Sequence, residues 1–328
     1  MIRLSCALLL AGAALPAWAQ SPPPSPPPAP APVVPDTDVF VADLDLAGGK
    51  VGVPRNVTTR PGYDNQPAFL PGGGELLYVA RDDSGSTDVW RVDLATGTRT
   101  QVTATPEAEY SPTPLADGSG FSAVRVEAPH AAGETFTESQ RLFRYGFDGM
   151  PRGPVLADVR RVGYHAWIDA SHVALFIVGN AEAKIAHSLV LASLPKGTIT
   201  PLAPDIGRSL GRAPDGRVTF VDQSSADSWN LAAIAPGDAE PSLLTPIPKG
   251  SADEKPADRS QDFCWLPDGT LMMANGKRLL RWDGNPGSEW TTLAQFADLP
   301  GTIRRLTTSR DGKRVAFVVD MPTASKPD

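Results

Sequence analysis

Polar and aromatic residues gather at six places along the chain, each entering a short strand-like segment: Tyr63-Asp64-Asn65-Gln66, Glu109-Tyr110, Tyr164-His165, Arg208, Gln261-Asp262 and Arg304-Arg305. Two more charges, Arg125 and Glu127, lie on the strand that follows the second group. Side chains of these kinds, if brought to one place, supply aromatic faces, amide donors and charges of both signs. That is the chemistry of a small polar pocket or of a clamp on the end of a peptide. The expected ligand-contacting set is Asp64, Asn65, Gln66, Tyr110, Arg125, Glu127, Tyr164, His165 and Arg208. The same groups could instead satisfy backbone polar atoms around a water-filled channel.

Other chemistry finds little support. Histidines 130, 165, 172 and 187 show no paired spacing, and with Cys264 they outline no transition-metal site. H-E-x-x-H, a P-loop and a G-x-G-x-x-G turn between strand and helix are absent. No catalytic residue, metal or cofactor is therefore expected. The alternative is a metal-dependent hydrolase or lyase similar to the six-bladed lactonase-like propeller enzymes, a resemblance that would bring Asn65, Glu109 and Asp262 together on a cation at the ring axis.

What positions these residues is a repeat. Inner-strand turns at Gly73, Gly118, near Ala170, Gly216, Gly269 and Gly312 recur every 43 to 53 residues or so, the period of a propeller blade. The clearest unit runs from Tyr63 to Thr103: Pro67 to Phe69, a Gly72-Gly73-Gly74 turn, Leu76 to Val79, the alternating Val89-Trp90-Arg91-Val92, a turn at Gly97, then Arg99 to Val102. Five such four-stranded units are complete. The C-terminal unit, from Gly301 to Val319, holds only two strands. Asp38–Asp43 and Gly52–Val57 supply the missing pair, so the expected fold is an all-β six-bladed propeller over residues 37–328, its last blade closed by N-terminal strands.

The repeat resembles the PD40, or TolB-like, propeller of bacterial periplasmic proteins. The resemblance rests on Pro67-Ala68-Phe69-Leu70-Pro71-Gly72-Gly73, Asp88-Val89-Trp90, Pro214-Asp215-Gly216, Trp265-Leu266-Pro267-Asp268-Gly269 and Asp311-Gly312. Tyr63 to Pro67, Tyr110 to Thr113, Arg125 to Glu127, Gly163 to Trp167 and Ile206 to Leu210 are further similar to a secreted subgroup of unassigned function. The third and fourth units depart from the turn signature, at Ile168-Asp169-Ala170 and Arg212-Ala213. The role of TolB itself is not carried over; the complete repeat count, without a catalytic domain, leads to the expectation of a scaffold that binds a peptide, protein or other envelope ligand at the channel mouth. The α/β domain that precedes the TolB propeller has no counterpart in this reading.

The remaining sequence speaks to location. Met1-Ile2-Arg3, an apolar run to Ala19 and the exit Ala17-Trp18-Ala19 read as a secretory signal peptide over residues 1–19. Residues 20–36 form a linker, with nine Pro in Ser21–Pro35 favouring an extended polyproline rod. Without the signal, Cys264 alone remains, so no disulfide inside the chain holds the fold. The formal charge of −7 and the lack of Lys/Arg clusters argue against nucleic acid. A periplasmic or secreted monomer, not inserted in a membrane once the signal is cleaved, is the expectation.

Overall fold

The computed structural model describes residues 35–82, 85–127, 136–249 and 260–322. The expected signal peptide and nearly all of the linker lie outside these residues. Six antiparallel sheets follow one another. The first blade comprises Asp64–Phe69, Glu75–Arg81, Thr87–Asp93 and Arg99–Gln101, numbered from the inner strand outward. Blades two to five repeat this order, with inner strands Ala108–Pro114, Val162–Trp167, Ile206–Arg212 and Phe263–Trp265. Each inner strand touches the inner strand of the next blade, so the six enclose a central channel. This is the six-bladed β-propeller.

Burial explains why the strands differ in composition. Each second strand packs on both faces, and Leu76, Leu77, Tyr78 and Val79 are at most 1 % exposed. Such strands read as unbroken apolar runs, whereas the outermost strand Arg99–Gln101 is exposed throughout and polar. Six apolar clusters fill the six gaps between neighbouring sheets.

The Asp-Gly signature of the turns has a local cause. Asp215, Asp268 and Asp311 each accept, through Oδ1, the N–H two residues on, at 3.0, 3.0 and 3.1 Å. The glycine between takes φ of +92°, +85° and +68°, a region closed to most L-residues. In the third blade Asp169 does the same for Ser171 at 2.7 Å, and Ala170 is not in the left-handed region. The first blade shows the converse, with Gly73 at φ +70° and no Asp before it, so either feature alone can form the turn.

The sixth blade joins the two ends of the ring. Its inner pair, Ile303–Thr308 and Arg314–Asp320, is completed by the N-terminal Thr37–Asp45, in register from Thr37 opposite Asp320 to Asp43 opposite Arg314. The rings of Phe40 and Phe317 stack with centroids 6.3 Å apart. The expected outer strand Gly52–Val57 is instead two short pieces, Lys50–Val51 and Arg55–Asn56. Pro54 between them has no N–H to give to the ladder.

Thr37 also ties the closing strand to the first blade, donating to the Asp64 carbonyl at 3.0 Å and accepting from Asn65 Nδ2 at 3.4 Å. Asp64 itself is fully buried against Arg60, whose Nε donates to Oδ1 at 2.9 Å. Burial pushes this carboxyl up to about 6 in spite of Arg60. A carboxyl raised on folding adds stability below its unfolded pKa, and that contribution is lost as pH rises through about 6. Between about pH 4 and pH 6, wild-type stability is therefore expected to fall by some 2–3 kcal/mol relative to Asp64→Asn. Urea titrations of both proteins across this window check the slope; parallel curves would refute it.

Candidate functional site

The inner strands are not regular ladders. Three slip register at equivalent places, between Asn65 and Ala68, Tyr110 and Thr113, and Arg304 and Thr307. In each bulge a non-glycine residue takes the left-handed conformation: Gln66 at φ +53°, Ser111 at +52° and Arg305 at +51°. Each costs on the order of 1–3 kcal/mol, which the surrounding sheet must offset. A bulge also frees a backbone N–H and re-aims side chains. Glutamines from neighbouring blades receive the freed donors: Gln66 Oε1 accepts the Ser111 N–H at 2.7 Å, and Gln261 Oε1 accepts the Arg208 N–H at 3.0 Å.

These bulges surround a cavity of about 490 Å³ to which all six inner strands contribute. Its charged part is a triad. Asp262, 3 % exposed, accepts from Arg208 Nη2 at 3.0 Å and faces Arg305 Nη1 at 3.8 Å. Burial opposes ionisation of Asp262, but the charges of Arg305 and Arg208 hold it below the usual carboxylate range. Burial likewise opposes the charge of Arg305, and Tyr164 and Asp262 outweigh it, so the guanidinium stays protonated. Arg305 reaches across the channel to the third blade, where Nη2 donates to the Tyr164 hydroxyl at 2.8 Å and the guanidinium lies 4.8 Å from the Tyr164 ring centroid. Two guanidiniums against one carboxylate leave this group at +1.

Beside it, Ser122 Oγ lies 2.7 Å from His165 Nε2 and accepts the Trp167 indole N–H at 2.9 Å. Trp265 makes the same contact to Thr219 Oγ1 at 3.0 Å two blades on. The inner-strand Trp of the repeat thus anchors to a hydroxyl on the preceding blade. Burial pushes His165 down to about 3, so it is neutral at working pH.

Of the nine residues expected to contact ligand, Gln66, Tyr164, His165 and Arg208 line this cavity. Asp64 and Asn65 are buried in the contacts to Arg60 and Thr37. Tyr110 packs with Val124, Leu142 and Val162 between the second and third blades. Arg125 pairs with Glu107 and lies 4.8 Å over the Phe143 ring, on a separate groove of about 450 Å³, and Glu127 pairs with Arg141 at 3.0 Å. Asp262 and Arg305, noted in the sequence among the channel-facing segments, join the four. Ser111 and Trp167 join them as well, from the stretches Tyr110 to Thr113 and Gly163 to Trp167, which the sequence resemblance had marked without assigning either residue to the ligand.

The cation site imagined at the axis does not fit. Glu109 is wholly buried between the first two blades, accepting hydrogen bonds from Thr103, Thr105 and Tyr145, and burial raises its pKa. Asn65 and Asp262 are engaged elsewhere, and among the described residues no three His, Cys, Asp or Glu side chains are placed to hold a metal. One string, Gly207-Arg208-Ser209-Leu210-Gly211, does match G-x-S-x-G. It runs along the inner strand Ile206–Arg212 and not through the strand-to-helix turn that exposes a nucleophile. Ser209 Oγ donates to Asp262 Oδ1 at 3.3 Å, and the channel histidine is turned to Ser122 instead.

No family model and no curated protein matches this sequence. Solved structures do match. A protein of Agrobacterium tumefaciens assigned to TolB superposes with a TM-score of 0.65 at 15% identity, over 88% of this chain and 99% of that one. A gluconolactonase from Xanthomonas campestris gives 0.57 at 15% identity, over 88% and 97%. The calcium-binding protein regucalcin of Agrobacterium tumefaciens gives 0.52 at 14% identity, over 86% and 96%. At such identities the likeness concerns the fold: this chain is a six-bladed β-propeller.

Proposed function

We propose that the ring is a binding scaffold of the periplasm or cell exterior, which holds a peptide or a protein segment of the envelope at the mouth of its channel. The observation that carries this reading is the single cavity fed by every blade, with a net positive triad and polar groups on a rigid wall. The apolar N-terminal run and the Pro-rich segment support export and a stand-off from neighbours. A metal-dependent hydrolase or lyase is the second reading, favoured by the fold shared with the gluconolactonase. The occupied side chains of Asn65, Glu109 and Asp262 speak against it.

The test compares capture from envelope and secreted fractions by the mature chain and by the double variant Tyr164→Ala/Arg208→Ala. At least one envelope protein is expected to bind the wild type and to lose about tenfold or more in affinity for the variant. Tyr164 lines the channel but also packs on Phe176 at the core between the third and fourth blades, so urea titrations of both chains accompany the capture and must show the variant folded under its conditions. A set of captured proteins identical for the two chains would overturn the reading.

A further inference from the structure

The polar atoms on the channel wall are unequal in kind. Arg208 Nε and His165 Nδ1 have no protein partner among the described residues, and neither has Ser111 Oγ. His165 is 9 % exposed. Its tautomer is assigned from its neighbour: Ser122 Oγ accepts from Trp167, and its hydrogen is placed toward His165 Nε2 at 2.7 Å, the nearer of its two possible acceptors, the Thr113 carbonyl being at 3.3 Å. Nε2 then accepts, and the ring proton sits on Nδ1 as a donor. Tyr164 Oη accepts from Arg305 and still has its own hydrogen to give. The wall thus offers a guanidinium N–H, an imidazole N–H and two hydroxyls, whereas its one carboxylate, Asp262, is taken up by Arg208 and Arg305.

Buried donors without acceptors are costly to leave unmade, and the +1 charge of the triad adds a demand for negative charge. An acceptor-only anion answers both. A planar carboxylate suits guanidinium groups in particular, through charge-assisted and bidentate hydrogen bonds. The strand residues next along the wall, Ala166 and Leu210, are apolar and would receive a carbon chain.

Resting on the channel as the binding site, we propose that its ligand presents a carboxylate to Arg208 and Arg305, with Tyr164, His165 Nδ1 and Ser111 completing its hydrogen bonds. The carboxylate belongs either to a chain end or to a small organic acid.

Thermal melts of the mature chain at constant ionic strength and about pH 7 test this with butanoate, butanamide and two pools of N-acetyl tripeptides, one with free and one with amidated C-termini. Butanoate or the free-acid pool, at up to about 50 mM, is expected to raise Tm through selective binding of the folded state, and the matching amide to do so at least about tenfold less effectively. The acid response should weaken by about tenfold or more in Arg208→Gln and persist in Arg217→Gln, which alters an exposed turn pair. A free-acid pool stronger than butanoate assigns the carboxylate to a chain end, and the reverse assigns it to a small acid. Equal responses to acid and amide, or none to either acid, overturn the proposal. If envelope capture still depends on Tyr164 and Arg208 while acids and amides are equal, the channel reading stands and only the carboxylate falls.

Discussion

Phe317→Ala is expected to destabilise the protein by about 3–5 kcal/mol, the usual loss for removing a fully buried phenyl ring. The ring has 0 % exposure and stacks on Phe40 from the other end of the chain and on Phe296, at 6.3 and 6.0 Å between centroids. Its cluster fills the gap between the fifth and sixth blades. Cys264 is a free thiol, and among the described residues the strand pair Thr37–Asp45 and Arg314–Asp320 closes the ring. The loss should appear in the urea midpoint, and a cycle with Phe40→Ala should show coupling of about 0.5–1.5 kcal/mol beyond the separate effects. A loss under about 1 kcal/mol, or strict additivity, would mean that closure does not depend on this contact.

That closure could be read from the sequence, because the C-terminal unit lacks two strands and the apolar run Val39-Phe40-Val41-Ala42 supplies one of them. The blades were equally legible: an Asp that accepts the N–H two residues on leaves a repeated mark. Finer features left none. Non-glycine residues in the left-handed region, as at Gln66, Ser111 and Arg305, have no marker in their own identity, so the inner-strand bulges were invisible. Without them, a period-of-two reading cannot say which side chains face the channel and which face the next blade. Arg125 illustrates this. It stands opposite Glu109 in the ladder, close in sequence to channel residues, yet it turns to Glu107 and Phe143 on the interblade side. Tyr164 and Arg305 illustrate the converse. They are 141 positions apart, and only the closed ring makes them neighbours.

The ring also explains why charge is tolerated at its centre. Isolated, a buried guanidinium would lose several kcal/mol of hydration. Inner strands of blades four, five and six place Arg208, Asp262 and Arg305 within one another's reach, so each arginine shares the same carboxylate. His165 remains neutral far below neutral pH and adds no charge. The channel's electrostatics should thus vary little across the physiological pH range.

Asp262→Ala carries the second large effect. The carboxyl is 3 % exposed, and its removal leaves the guanidiniums of Arg208 and Arg305 without the counter-charge they share, one of them on a left-handed residue. Breaking a buried ion pair by removing one partner typically costs about 3–5 kcal/mol, most of it the price of the stranded charge. If that is the cause, deleting charge on the other side should recover stability. Asp262→Ala/Arg305→Met is expected to lie closer to wild type than Asp262→Ala alone, because methionine fills much of the volume and brings no unpaired cation. Denaturant midpoints of wild type, Asp262→Ala, Arg305→Met and the double variant decide the matter, with unchanged m-values showing that the unfolded reference is the same. Should the double variant be the sum of its parts, the loss at Asp262 would come from packing at the strand entry, and the triad would not be the electrostatic unit that the channel geometry makes it.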